Sequence, residues 1–327
     1  MGKKRSGLSR RGFLSTVSTG AAAGFILGES ARAASTAGGE KQGEGAQAPA
    51  GPAGGREEKM HSRFLTTLNN FEVSRYLESN DIIFIPVGTV EMHGVMPLEC
   101  EYVLPLGFAA RMAEKVDGLV LPHMTYFYPG GTAIGSGTVY ISPSAGGAYL
   151  KEVCRSLLRQ GFRRQVLLTA HGPAHVTVQP VIREFFDETK CPIAYLDLNT
   201  FFEAAEAKGV ESDFNKMIWG AYGILGRLDD INPEPVGVKR AQYPEPLAKL
   251  QQGRAGVGFF FSDETQHGWF PREALSAEQR AARAKEGAEQ IDRVIETMGL
   301  DAIVANMRAH DEFTRKEVLP RYRERLP

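Results

Sequence analysis

Cysteine is scarce in this chain. Cys100, Cys154 and Cys191 are the full set in 327 residues, and no two form a Cys-x-x-Cys pair. A disulfide-stapled fold and a thiolate zinc cluster are excluded by that spacing, although one bridge could still form. Several motifs are also missing. No Gly-Lys-Ser/Thr follows a glycine-rich loop, no Gly-x-Gly-x-x-Gly occurs, and there is no Gly-x-Ser-x-Gly elbow. Phosphate-cradling NTPase, dinucleotide-binding and serine hydrolase readings all weaken accordingly. Positive charge is short as well. Outside residues 1–33 the chain holds 32 Lys and Arg against 38 Asp and Glu, about −6 in all, so no basic stripe is left to neutralise nucleic-acid phosphates.

No apolar run is long enough for a membrane anchor. The stretch ending at Leu27 is short and diluted by Ser, Thr and Gly, so stable membrane insertion is not expected. Instead, Ser9-Arg10-Arg11-Gly12-Phe13-Leu14 reads as a twin-arginine export signal, with Ala31-Arg32-Ala33 as its small-residue cleavage site. Residues 1–33 are therefore expected to address the protein to the periplasm or the exterior. Residues 34–59 are rich in Ala, Gly, Glu and Pro and almost free of large apolar side chains, which predicts a disordered linker. The folded domain is expected over 60–327, led by a helical segment carrying Phe64, Leu65, Leu68, Phe71, Val73, Tyr76 and Leu77.

From there apolar strands alternate with helices. Strands are predicted at Asp81–Val87, Gly118–Tyr126, Arg164–Ala170 and Ile193–Leu198, and helices at about Leu104–Val116, Pro143–Gln160, Pro173–Thr189 and Ser276–Met298. Val236–Gly256 reads as a loop. Such alternation implies a parallel sheet with helices on its faces, and right-handed crossovers then collect the strand ends along one edge.

That edge carries the chemistry. Pro86-Val87-Gly88-Thr89-Val90-Glu91-Met92-His93-Gly94 leaves the first strand, and Glu91 and His93 share a side if the chain stays extended. A carboxylate and an imidazole so placed suit a divalent metal. His171 leaves the third strand at the same edge, followed by Pro173, which suits a first helical turn. Glu99 and Glu101 flank Cys100, and either could supply a further oxygen ligand. Cys100 has no partner motif for a nucleophile. His175 and Glu264 are the acid/base candidates, the latter in Asp263-Glu264-Thr265-Gln266-His267, which could donate a ligand from another loop. Tyr128, Gly131 and Ser136 of the glycine-rich loop Tyr128–Gly137 are candidate substrate contacts.

Taken in order, the Glu91-x-His93-Gly94 stretch, Met96-Pro97-Leu98, Gly137-Thr138-Val139-Tyr140-Ile141-Ser142, Gly161-Phe162-Arg163-Arg164 and His171-Gly172 resemble the creatininase (creatinine amidohydrolase) family. The resemblance implies a three-layer α/β/α sandwich around a mostly parallel sheet and a homo-oligomer, often a hexamer. It also implies a site for one or two Zn²⁺ or Mn²⁺ ions that hydrolyses carbon–nitrogen bonds of small cyclic or formylated amides. Glu91, His93 and His171 match metal ligands, and Glu101 stands where the family usually has a bridging aspartate. Two departures accompany the match. Pro173 stands where creatininase places a glutamate, and the family's later His-Ala-Gly-Glu segment has no counterpart around Trp219–Gly226. The expectation is a metal-dependent hydrolase acting on a small cyclic amide through activated water. A hydrolase of cyclic polyol ketones (inososes) or lactones, and a non-catalytic metal-binding protein, are the alternatives.

Overall fold

The computed structural model describes residues 60–232, 234, 237–252 and 258–325. The expected export signal (1–33) and linker (34–59) lie outside the described residues.

Strand β1 (Ile82–Pro86) is buried at every position, and both sides of it are apolar for that reason. It sits inside a four-stranded, fully parallel sheet with β2 (Leu119–Val120), β3 (Arg164–Thr169) and β4 (Ile193–Asp197), in the order β2-β1-β3-β4. Register runs Ile82 to Arg164 and Pro86 to Leu168 between β1 and β3, and Thr169 to Asp197 between β3 and β4. Period-two alternation splits the side chains between two cores. Ile82, Phe84, Val166, Leu168 and Leu196 enter one, while Ile83, Ile85, Leu167 and Ile193 enter the other.

Helices fill both faces. In chain order they are α1 (Asn70–Ser79), α2 (Cys100–Val116), α3 (Pro143–Gln160), α4 (His175–Thr189), α5 (Leu198–Glu206), α6 (Phe214–Ile224), α7 (Glu245–Gln252), α8 (Ala277–Met298), α9 (Leu300–Phe313) and a last turn, α10 (Leu319–Tyr322). Helix α2, with α5, α6 and α8, covers the Phe84 face, and α3 with α4 covers the Ile83 face, so the fold is an α/β sandwich as expected. Local signals set the ends. Asn69 and Glu72 form a capping box on α1, Ser276 and Gln279 form one on α8, and Gly161 ends α3 in the left-handed region at φ 113°. No described helix is long and apolar enough to cross a membrane.

Three sequence expectations change. The second strand shrinks from Gly118–Tyr126 to two residues, because Pro122 and a left-handed His123 (φ 72°) end the ladder. Helix α7 interrupts the stretch expected to be loop, part of which lies outside the described residues. Helix α2 starts at Cys100, not Leu104, and carries Pro105 inside it. Proline there removes the bond that would close on the Glu101 carbonyl, so the sequence masks a first turn that tertiary packing supports.

A candidate dinuclear metal centre

The early start of α2 decides where the carboxylates point. Glu99 and Glu101 would share a side in extended chain, but at the head of a helix they diverge. Glu99 pairs with Arg227, whereas Glu101 turns inward and is buried. Glu91 meets Glu101 because the intervening loop doubles back: the Glu91 N–H donates to the Leu98 carbonyl at 2.8 Å and the Met96 N–H to the His93 carbonyl at 3.3 Å. Gly88 makes this approach possible. A Cβ there would stand 2.4 Å from the Tyr102 Cα, inside the first turn of α2. Gly88→Ala should therefore cost roughly 1–3 kcal/mol or more in urea unfolding and lower metal content with it.

Four side chains and one from a distant loop converge. Glu101 is the centre, and its two oxygens face opposite ways. Oε2 contacts the His171 Nδ1, which also lies 3.0 Å from the Glu91 Oε1. Oε1 faces the His93 Nδ1 at 3.5 Å and the His267 Nε2 at 3.7 Å. Two three-ligand groups result, Glu91–Glu101–His171 and His93–Glu101–His267, with ligand atoms within 4.8 Å of one another in each. Glu91 and His93 thus serve different groups, because the chain between them is not extended strand.

Surrounding bonds hold these ligands in place. The His171 Nε2 donates to the Tyr128 carbonyl at 3.1 Å, which fixes the ring and aims Nδ1 at the carboxylates. The Thr132 hydroxyl contacts the Glu91 Oε2. His267 arrives on the segment after a short 3₁₀ turn at Glu264–Gln266, its ring stacked on Phe261 at 5.5 Å and edge-on to His93 at 4.7 Å. Gly268 lets that segment pass against the ligand loop: its φ is +107°, and a Cβ would stand 2.0 Å from the His93 carbonyl carbon. The Trp269 N–H then donates to the His93 carbonyl and the Val95 N–H to the Trp269 carbonyl, at 3.3 and 2.9 Å.

Electrostatics sort the five groups. Burial works against a charged Glu101, yet His171, His267 and His93 hold its carboxyl well below the usual range. Burial raises Glu91, with His171 opposing. Burial pushes His93 down to about 4, so it is a neutral imidazole with a lone pair to offer. His171 is the reverse case: burial disfavours its cation, but Glu91 and Glu101 raise it to about 10.

The donor set fits divalent metal. Among the described residues, the buried His93 Nδ1 and His267 Nε2 have no hydrogen-bond partner, a costly state that an ion would relieve. Carboxylate and imidazole without thiolate match zinc or manganese. Glu91, His93, Glu101 and His171 are almost fully enclosed, while the His267 side chain is 27% exposed.

The remaining candidates lie outside the two groups. His175 is exposed at the head of α4, its Nδ1 2.7 Å from the Gly172 carbonyl. The Glu264 Oε1 accepts from both the N–H and the hydroxyl of Ser136. Gly131 is buried, and its carbonyl accepts the Phe261 N–H at 3.0 Å. Tyr128 contributes its carbonyl to His171, and its ring meets Tyr140 edge-on at 5.8 Å. Cys100 is buried, and burial with Glu101 and Glu91 nearby pushes its thiol well up, which removes a thiolate nucleophile. Pro173 packs against Gly130, where a Cβ would stand 2.6 Å from its ring. The chain position at which the resemblance expects a glutamate is thus spent on loop packing, and the imidazole of His267 faces Glu101 instead.

Comparison with known proteins bears on the family and the fold. The family model described as "Creatininase: Creatinine amidohydrolase" matches residues 66–299. A creatinine amidohydrolase of Pseudomonas putida is 32% identical over 104 residues, which is 30% of this chain and 40% of that protein. A 3-dehydro-scyllo-inosose hydrolase of Thermotoga maritima is 30% identical over 140 residues, 42% of this chain and 45% of that protein. Both relatives are hydrolases, and the matched stretches span less than half of each. A solved creatininase superposes with a TM-score of 0.53 at 20% identity, over 76% of this chain and 99% of that one, a likeness of fold. A mutant creatininase of Zn-Zn type (20% identical, 76% and 99% covered) and a manganese form (19%, 75% and 99%) each superpose at 0.50.

Proposed function

The chain belongs to the creatininase family, and from that premise we propose that it is a metal-dependent hydrolase of a small cyclic substrate, its site formed by Glu91, His93, Glu101, His171 and His267. The observation that carries the reading is Glu101, a buried carboxylate whose two oxygens each face a separate ligand group. Two zinc or manganese ions held there would lower the pKa of water and polarise a substrate carbonyl.

The protein's own groups do the rest. Glu91 and His171 would hold one ion and His93 and His267 the other, with Glu101 common to both groups. Thr132 and the Tyr128 carbonyl keep Glu91 and His171 aimed. The glycine-rich loop, with Tyr128, Gly131 and Ser136, shapes the approach. A leaving nitrogen needs a proton, and we assign that role to His175, which follows His171 on the same edge. Its Nδ1–H donates to the Gly172 carbonyl, so His175 would give the proton from Nε2 as an imidazolium and be left neutral.

A cyclic amide is the first substrate class, by the family. A cyclic polyol ketone is the second, favoured by the longer match to the inosose hydrolase, 42% of this chain against 30%. Twin-arginine export, on the Arg10-Arg11 motif, and a homo-oligomeric state, on the family, belong to the same proposal. The test is metal analysis of the purified protein, then turnover over a panel of cyclic amides, lactones and inososes, before and after chelation. Hydrolysis lost to the chelator and regained with Mn²⁺ or Zn²⁺ is expected. Bound metal with no turnover on any member would favour the binding-protein reading.

A further inference from the structure

His267 reaches the centre from a segment far along the chain, and something must hold that segment against the glycine-rich loop. Two clasps do so. One is the bond from the Phe261 N–H to the Gly131 carbonyl at 3.0 Å. The other joins Glu264 to Ser136, where a single carboxylate oxygen accepts the backbone N–H at 2.9 Å and the hydroxyl at 2.8 Å.

Each side of the Glu264 clasp is itself fixed. The glycine-rich loop is tied to the ligand loop, with the Val139 N–H on the Val90 carbonyl at 2.9 Å and the Met92 N–H on the Thr138 hydroxyl at 3.0 Å. Opposite it, residues 261–267 are closed on themselves. The Gln266 Oε1 accepts the Ser262 N–H at 3.1 Å, the Asp263 carboxylate accepts the Thr265 N–H at 2.7 Å, and the His267 ring lies on Phe261. These contacts join the His267 ring to the residues that carry Glu264. Trp269 holds this segment from the C-terminal side, and the Ala241 N–H on the Thr265 carbonyl at 3.0 Å and the Gln266 Nε2 on the Gln242 carbonyl at 3.3 Å tie it to residues 241–242; Glu264 is its charged tether to the glycine-rich loop.

We propose that Glu264 is a positioning residue: clasped to Ser136, it sets the His267 imidazole opposite Glu101 and so completes the second ion position without touching the ion. The proposal rests on the dinuclear reading above. Glu264 and Ser136 are both exposed, so substituting either leaves the core intact. A charge-assisted bond with two donors is also stronger than an ordinary surface contact.

The experiment is Mn²⁺ titration of the chelator-stripped full chain, with ion stoichiometry and electron paramagnetic resonance as readouts. Wild type should bind two ions and give the spectrum of a coupled pair. Glu264→Ala should keep the first ion at wild-type affinity and bind the second about 10- to 100-fold more weakly. At one equivalent bound, its spectrum should be that of an isolated Mn²⁺. Glu264→Gln keeps an accepting oxygen and should stay near wild type, Ser136→Ala should fall between, and His267→Ala should mark the floor. Two ions at unchanged affinity in Glu264→Ala overturn the positioning role, as does equal weakening of both. A wild type that binds fewer than two ions overturns the dinuclear reading beneath it.

Discussion

Replacing Glu101 by alanine is expected to empty both ion positions at once and to abolish metal-dependent turnover. Loss of His267 or of Glu91 should weaken one position first. The asymmetry follows from geometry. Glu101 is the residue common to both ligand groups, its Oε2 on the His171 side and its Oε1 on the His93 and His267 side. Removing it leaves Glu91 and His171 for one ion and two imidazoles for the other, too few protein donors to hold either firmly. The substitution also strips His171 of one of the two carboxylates beside its buried ring. Breaking a buried pair from one side costs about 3–5 kcal/mol, because the surviving charge loses its compensation. The metal-free protein should be destabilised on that scale even before metal enters the comparison. Glu101→Gln separates the two effects: it keeps the volume and one acceptor oxygen, so more stability should survive than metal binding. Metal content by mass spectrometry and unfolding in urea read out the pair. Full retention of one ion by Glu101→Ala would mean that the carboxylate does not link the two groups.

Much of this candidate site is legible in the sequence, and the part that is not has a local cause. Strand β1 announces itself by a continuous run of large apolar residues, and the ligands at the exits of β1 and β3 follow from parallel topology, which places strand ends on one edge. Glu91, His93 and His171 become candidates in that way. The choice between Glu99 and Glu101 was not open to pattern reading, since it depends on whether the chain there is strand or helix. Pro105 disguises the start of α2, and only packing against β1 and the close pass of Gly88 reveal that Glu101 is already helical. His267 is a different kind of difficulty. Its neighbours Asp263 and Glu264 make the stretch look like solvated surface, and no periodicity links it to the sheet edge. What brings it in is a left-handed glycine followed by a tryptophan that bridges to Gly94, a long-range pairing with no local signature. Pro173 at the position where the resemblance expects a glutamate is legible as an absence, and the His267 imidazole facing Glu101 comes from the other end of the domain.

The five ligands also predict how stability should respond to pH, and metal should reverse the trend. In the metal-free protein His171 is raised from 6.5 to about 10, burial being outweighed by Glu91 and Glu101. A group whose folded pKa lies above its unfolded value binds its proton more tightly when folded. Its contribution is therefore complete below about 6.5 and is lost as pH climbs through 10. Glu101, held low by the surrounding histidines, acts in the opposite sense, and its contribution fades only in acid, below its ordinary value of 4.5. The two shifts describe one interaction and count once. His93, pushed down to about 4, costs stability as pH falls from 6.5 towards 4. Metal-free protein should thus be most stable near pH 6 to 7 and weaken steadily from neutrality upward. A bound ion takes the place of the His171 proton, so binding releases protons and tightens as pH rises. The rise in Tm on adding Mn²⁺ should consequently be small near pH 6 and grow towards pH 8.5, reaching on the order of 10 °C if the His171 interaction is worth a few kcal/mol. Calorimetric scans of stripped and Mn²⁺-loaded protein across that range decide it. A metal-induced shift that is constant with pH would show that the ion does not displace the His171 proton.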